Sequence, residues 1–352
     1  MTSFIQLHML TSYPPANLNR DDLGRPKTAV MGGVQRLRIS SQSLKRAWRT
    51  SDIFRRDLYG HIGTRTKEMG VRALNRLCEA GIAESDAKAW AQAIAERFGK
   101  LKAGNEEIEQ LAHFSPAEVA AVDALTSAIL AEQRAPREDE LNALLQATHT
   151  AADIALFGRM LAANPSCNTE AAAQVAHAIS VHKVAVEDDY FTAVDDLNRG
   201  DEDLGAAHIG ETGFAAGLFY LYVCVDRDLL FRNLQGDEDL TARTLRALAE
   251  AAATVAPTGK QNSFASRAYA TYFLAEKGTR QPRSLSVAFL KPVSGSDMLK
   301  DAIAALTDTR SKMDTVYGKL SEADMSLNAL QGEGKFEDML NFVASPPEKG
   351  NT

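Results

Sequence analysis

Cysteine is scarce in this 352-residue chain: Cys78, Cys167 and Cys224 are the only three, and no two of them form a CxxC pair. That excludes a disulfide framework and a cysteine-rich zinc site and fits a reducing compartment, so a cytoplasmic protein is expected. Long apolar runs are missing too. No stretch approaches 18 uncharged apolar residues, and Met1-Thr2-Ser3-Phe4 lacks the basic and apolar regions of a secretion signal, so no membrane association is expected. There is no excess of positive charge either. The 39 Lys+Arg stand against 46 Asp+Glu, a formal net charge of −7, which excludes a uniformly basic nucleic-acid binder. Catalytic signatures are also wanting. The seven histidines supply no HExxH, there is no GxSxG, and Pro257–Gln261 fails as a nucleotide-triphosphate loop because position 254 is Thr and position 261 is Gln. No cofactor or resident metal is implied.

What is present is a core and a charge asymmetry. Hydrophobic residues make up 45% of the chain, enough for at least one sizeable core on a two-domain length. The first 60 residues hold ten Lys+Arg (Arg20, Arg25, Lys27, Arg36, Arg38, Lys45, Arg46, Arg49, Arg55, Arg56) against Asp21, Asp22, Asp52 and Asp57. That segment is +6, so the remainder carries −13, and any site for an anion is local.

Periodicity orders the elements. Phe4–Leu10 alternates as a half-buried strand, and residues 12–35 read as a long loop rich in Pro, Asn, Gly and Asp. Leu37 and Ile39 alternate with Arg36 and Arg38 and lead into Ser40-Ser41, which can cap a helix over Gln42–Arg49. From about 60 to 183 helical spacing prevails, in Ser85–Arg97, Pro116–Gln133 and Glu138–Met160. The glycines at 200, 205, 210, 213 and 217 suggest a projecting arm that ends in the strand Leu218–Val225. Helical spacing over Leu240–Val255 and alternation at Leu285, Val287 and Phe289 complete the order. Strand, helix, long insertion, strand, helix, strand predicts an α+β fold of the ferredoxin-like type, with an antiparallel sheet.

The sharpest local feature is the helix after Ser40. Gln42, Lys45, Arg46 and Arg49 share one face, and Leu44, Ala47 and Trp48 share the other. One side packs, and the other presents an amide and cations beside a helix N-terminus, a combination suited to phosphates. Arg20 and Lys27 in the preceding loop could clamp the same strand. Two alternatives stay open on these residues: a Mg²⁺-dependent RNase using the Asp21-Asp22 pair, and a scaffold whose basic face meets an acidic protein.

Five motifs carry a resemblance: LNRDD (Leu18–Asp22), RISSQSLKRA (Arg38–Ala47), GRM (Gly158–Met160), FTAVDD (Phe191–Asp196) and AHxG (Ala207–Gly210). With them the chain resembles the CasC family, the guide-RNA-binding backbone subunits of the type I-E CRISPR surveillance complex Cascade. The likeness is strongest in the first 50 residues and extends to about residue 265. It implies a non-catalytic subunit with an RRM-like palm (1–59 and 218–352), a helical fingers insertion (60–183) and an extended Gly-rich thumb (184–217). It also implies partners: guide RNA, target DNA through base pairing, further copies of the chain head to tail, and other Cascade subunits. The RNA-backbone contacts of the family fall on Arg20, Lys27, Ser40, Gln42, Lys45 and Arg49, with Lys260 and Gln261 on a palm loop. Met160, Phe191 and Ile209 match the positions that wedge around a displaced nucleotide, although on spacing alone they read as core. Two departures are visible. Glu138, Asp139 and Glu140 stand where the family carries lysines toward DNA, and the aromatic RNP1 signature of sequence-reading RRMs is missing, as suits a protein that grips phosphates and leaves bases free.

Overall fold

The computed structural model describes residues 2–193 and 208–346, in two units of which the first comprises 1–51, 175–224 and 248–352, and the second 52–174 and 225–247. In the first unit β1 is Phe4–Ala16, β2 Thr28–Met31, β3 Val34–Ile39 and α1 Ser41–Arg49. After the second unit's main segment come β4 (Ala178–Ser180), β5 (Glu187–Ala193), β6 (His208–Asp226), α2 (Glu238–Thr254), β7 (Ala270–Gly278), α3 (Met298–Tyr317), β8 (Ala323–Asn328) and α4 (Phe336–Ala344). The sheet runs β8-β7-β1-β6-β4-β3-β2, with β5 paired to β6. Within it, β7-β1-β6-β4 and the intervening α1 and α2 reproduce the strand-helix-strand-strand-helix-strand order and the 4-1-3-2 arrangement of a ferredoxin-like fold. The α+β expectation therefore holds.

Three elements differ from the sequence expectation. The strand β1 is buried on both faces rather than one, because its polar residues are paired inside. The Leu285 N–H donates to Tyr220 Oη (3.1 Å), Tyr220 Oη lies 2.8 Å from His8 Nδ1, and His8 Nε2 lies 3.0 Å from Glu276. Arg283 and Arg310 donate to the same carboxylate. A buried carboxylate with these partners stays ionised: burial alone would raise its pKa, but the His8 and Arg283 hydrogen bonds and their charges lower it well below the ordinary carboxylate range.

The final strand of the ferredoxin-like order is β7, not residues 285–289, which form a short 3₁₀ turn at Ser286–Phe289. The strand β7 carries no alternating signal in its sequence, because it lies between β1 and β8 and is buried almost throughout, Glu276 and Lys277 included. The supposed loop over 12–35 likewise contains structure. The strand β1 continues to Ala16, and β2 pairs with β3 through Gly32-Gly33, whose φ values of 62° and 77° are those a two-residue type I′ turn requires. Arg36, counted above among the cations, is fully buried. It donates to the carbonyls of Met31, Ser180 and Phe289 and so braces the sheet.

The second unit is mainly helical. Helices Met69–Glu79, Glu84–Glu96 and Pro116–Glu132 pack around Leu77, Ala91, Ile94, Val122 and Ile129, and the rings of Phe98 and Phe114 lie 4.5 Å apart. The expected helix over 138–160 is broken into Glu138–Asn142 and Ala152–Phe157. Tertiary bonds outweigh helix propensity there: the Ala152 N–H donates to the His61 carbonyl (2.7 Å), and the buried Asp153 carboxylate accepts the Gly63 N–H (2.8 Å) and the His113 imidazole (2.8 Å). Beside them His149 is buried, and burial followed by repulsion from Arg159 lowers its pKa to about 4. An unfolded His149 binds its proton near pH 6.5, so the stability it contributes is complete above that pH and is lost as the pH falls from 6.5 through 4. Urea unfolding followed at pH 7.5, 6 and 4.5 will show this loss, and His149→Phe will flatten it; an unchanged slope in the variant would contradict the assignment.

Candidate nucleic-acid interface

The helix α1 forms as its sequence dictates. Ser40 is its N-cap, with Oγ accepting the Ser43 N–H at 3.3 Å, and Leu44, Ala47 and Trp48 are buried beneath it. Gln42 and Arg46 are exposed on the other side, and Lys45 and Arg49 are partly so. Partial burial lowers the Lys45 pKa below its ordinary value. Ser40 itself is buried, and its hydroxyl is engaged in capping.

The preceding segment is tied to the start of this helix by Asn19. Its Oδ1 accepts the Ser40 N–H (2.9 Å), its carbonyl accepts the Lys27 N–H (2.8 Å), and the Lys27 carbonyl accepts the Arg38 N–H (2.8 Å). Asp21 has a structural task in the same loop, since its Oδ1 accepts the N–H groups of Leu23 (3.0 Å) and Arg25 (2.9 Å). Among the described residues no group of three or more His, Cys, Asp or Glu is placed to hold a metal ion.

The palm loop arrives from far along the chain. Gly259 presses against Asn17 and Leu18, so closely that a Cβ would lie 2.3 Å from the Leu18 carbonyl oxygen, and only glycine fits there. Lys260 follows with φ 50°, its Nζ donating to Thr212 Oγ1 at 3.1 Å. Arg20, Arg25 and Lys260 thereby line one open cleft of about 410 Å³, together with Asp188, Glu211, Thr212 and Gly213. The Arg25–Asp188 pair (2.9 Å) is half exposed on both sides; such a pair contributes about 1 kcal/mol or less and leaves Arg25 able to exchange its partner for a phosphate. Gln261 turns inward: its Oε1 accepts from Ser266 Oγ (3.1 Å), and its Nε2 is buried with no hydrogen bond among the described residues. Ala265, at the end of the same turn, has φ 47°. Because this region is unfavourable for a Cβ, Ala265→Gly will stabilise the chain by about 0.5 to 1 kcal/mol in urea unfolding, and a loss of stability would show that no strain resides there.

Of the three residues expected as a wedge, Phe191 and Met160 are exposed rather than core. Phe191 is 41% exposed in β5, its ring packed over Gly210 of β6, and Met160 of the second unit is 81% exposed. The backbone of Ile209 pairs with Thr192, while its side chain, like residues 194–207, lies outside the described residues. The structure thus groups Arg20, Lys260 and Arg25 in the cleft and binds Lys27 and Ser40 to Asn19 beside it. Gln42, Lys45 and Arg49 lie on α1, and Met160 belongs to the other unit. The sequence alone does not single out Asn19, Arg25 or Arg38. A repeating cation pattern could have flagged the arginines, but the role of Asn19 rests on long-range bonds that no spacing reveals. The acids Glu138 and Glu140 are already paired inside their unit, with Arg97 at 2.7 Å and with Arg134 (2.7 Å) and Arg137 (2.8 Å).

Comparison with solved structures supplies relatives of the whole fold. A chain described as "CRISPR RNA-guided surveillance complex, pre-nicking" superposes with a TM-score of 0.83 at 27% identity, covering 97% of this chain and 99% of that one. Another, described as "CRISPR RNA-guided surveillance complex", gives a TM-score of 0.73 at 23% identity with the same coverage, which speaks to the fold. No curated protein sequence matches. The model of the CT1975-like protein family matches residues 5–341, nearly the entire length, in agreement with the resemblance read from the motifs. The chain belongs to the CT1975-like protein family.

Proposed function

We propose that this chain is a backbone subunit of a type I-E CRISPR RNA-guided surveillance complex. It assembles along guide RNA, grips its phosphates and leaves bases free to pair with target DNA. The observation that carries this reading is the cleft in which Arg20 and Arg25, from near the start of the chain, meet Lys260 from its later part. Sequence-distant cations converge there without three carboxylates to neutralise them, so an extended anion is the fitting ligand. The first unit acts as palm, with β5 and the start of β6 as the root of the thumb, and the second unit supplies the fingers. Contacts between copies are heterologous and head to tail, so RNA length sets the copy number. Other subunits of the complex complete the assembly in the cytoplasm. No helix among the described residues is long and apolar enough to cross a membrane.

The subunit is non-catalytic, and Asp21 shapes the loop rather than holding Mg²⁺. Mixing the purified chain with guide RNAs of increasing length will give complexes whose mass, by light scattering, rises by one subunit per fixed RNA increment. A single copy at every length would refute the reading. Regular Mg²⁺-dependent cuts in a complementary RNA, abolished by Asp21→Ala, would establish the RNase instead.

A further inference from the structure

The cations of the cleft are not equally available to a ligand. Lys260 Nζ donates to a neutral hydroxyl, Thr212 Oγ1 at 3.1 Å, a contact that cancels no charge. Arg25 differs, because its Nη2 donates to the Asp188 carboxylate, at Oδ1, at 2.9 Å. A phosphate arriving at the same guanidinium brings a second negative charge within a few ångströms of that carboxylate, so the two anions compete for Arg25.

The competitor comes from a distant part of the chain. The strands β5 and β6 pair as an antiparallel ribbon, with Asp188 opposite Gly213 and Asp189 opposite Thr212. The root of this ribbon lies on the loop that carries the cations, since a Cβ added at Gly213 would come 3.1 Å from Pro26 Cδ. The loop itself is closed by pairing of Arg20 with Pro26, and the Asp21 N–H donates to the Arg25 carbonyl at 2.9 Å. The backbone of Arg25 is thus fixed, while its side chain, 49% exposed against 43% for Asp188, can change partners by rotation alone.

We infer that Asp188 is an autoinhibitory latch: in the RNA-free chain its carboxylate holds Arg25 in place of a phosphate and ties the root of the β5–β6 ribbon to the Arg20–Pro26 loop, and RNA must displace it. The inference rests on the RNA-binding reading above and adds a regulatory contact to it. Both partners are solvated, so the latch is weak enough for a phosphate to open, and it lowers affinity by a modest factor. Opening it also loosens the ribbon from the loop, so that occupancy of the cleft and the position of the ribbon root are linked.

The test measures the affinity of the full chain for a 12-nucleotide single-stranded RNA by fluorescence anisotropy. Asp188→Asn, which keeps the shape of the side chain and removes its charge, will tighten binding roughly two- to fivefold, a gain that misfolding cannot produce. Asp189→Asn removes the same charge one position along, where alternation turns the side chain to the other face of the ribbon, and will change affinity by less than about twofold. In an Arg25→Ala background, Asp188→Asn will add nothing, because the group it releases is gone. Unchanged or weaker binding by Asp188→Asn would overturn the latch while leaving the phosphate grip intact. An equal gain from Asp189→Asn, or a gain that persists without Arg25, would overturn it too, since general repulsion between the ribbon and RNA would then account for the effect. Failure of both the wild-type chain and Asp188→Asn to bind the strand would refute the RNA reading and the latch with it.

Discussion

Lys45→Ala/Arg49→Ala will weaken RNA binding roughly 10- to 100-fold at physiological salt and will do so equally for every RNA sequence. Each cation that neutralises a phosphate on a single strand contributes about −0.7 to the slope of log affinity against log salt. If Arg20, Lys27, Lys45 and Arg49 each hold one phosphate, the wild-type slope is at least about −2.8, and the double variant loses about half of that. Lys312→Ala is the control, since Lys312 pairs with Asp308 on α3 (2.6 Å), and it will leave the slope unchanged. Equal slopes for the double variant and the wild type would remove α1 from the interface. The partial burial of Lys45 strengthens the expectation. A cation whose pKa is lowered by desolvation gains from an approaching anion more than a fully solvated one does.

Glu118→Ala will cost the second unit about 3 to 5 kcal/mol. Arg159 and Glu118 form a fully buried ion pair at 2.7 Å. The guanidinium also donates to the carbonyls of Gln146 (2.9 Å), Cys167 (2.9 Å) and His113 (3.3 Å), and the Glu118 carboxylate accepts the N–H groups of Ser115 (2.8 Å) and Gln146 (3.1 Å). Removing the carboxylate strands a buried cation and uncaps the helix Pro116–Glu132 together. The same pair fixes the backbone on which Met160 stands. Arg159 exchanges both backbone hydrogen bonds with Thr169 at 3.0 Å, and the Leu161 N–H donates to Asn168 Oδ1 at 2.6 Å, so an exposed side chain is held between two anchored neighbours. Urea unfolding at pH 7.5 measures the effect; a loss below about 1 kcal/mol would mean that water reaches the guanidinium in the variant.

Local chemistry was legible along the chain. Ser40 before an amphipathic nonamer specified the cap and the two faces of α1, because capping and helical periodicity act within a few residues. Helical spacing over Pro116–Gln133 likewise marked the helix Pro116–Glu132. The β-branched and aromatic run at Leu218–Val225 was a strand for a similarly local reason. Burial of polar residues was not legible. Nothing in the order of residues distinguishes Arg36, which braces carbonyls inside the fold, from Arg38 two positions later at the surface.

By itself the sequence determined the class of fold, the cationic helix and the location of positive charge in an otherwise acidic chain, since these depend on composition and on contacts between near neighbours. Tertiary structure alone decided that β1 and β7 are buried on both faces, that residues 138–160 are not one helix, and that Lys260 meets Arg20 and Arg25. Each of those outcomes depends on hydrogen bonds or close approaches between segments far apart in the chain, such as Asn19 with Ser40 and Gly259 with Leu18. Such bonds override local preference when they satisfy buried polar groups, and the chain order carries no record of them until the fold closes.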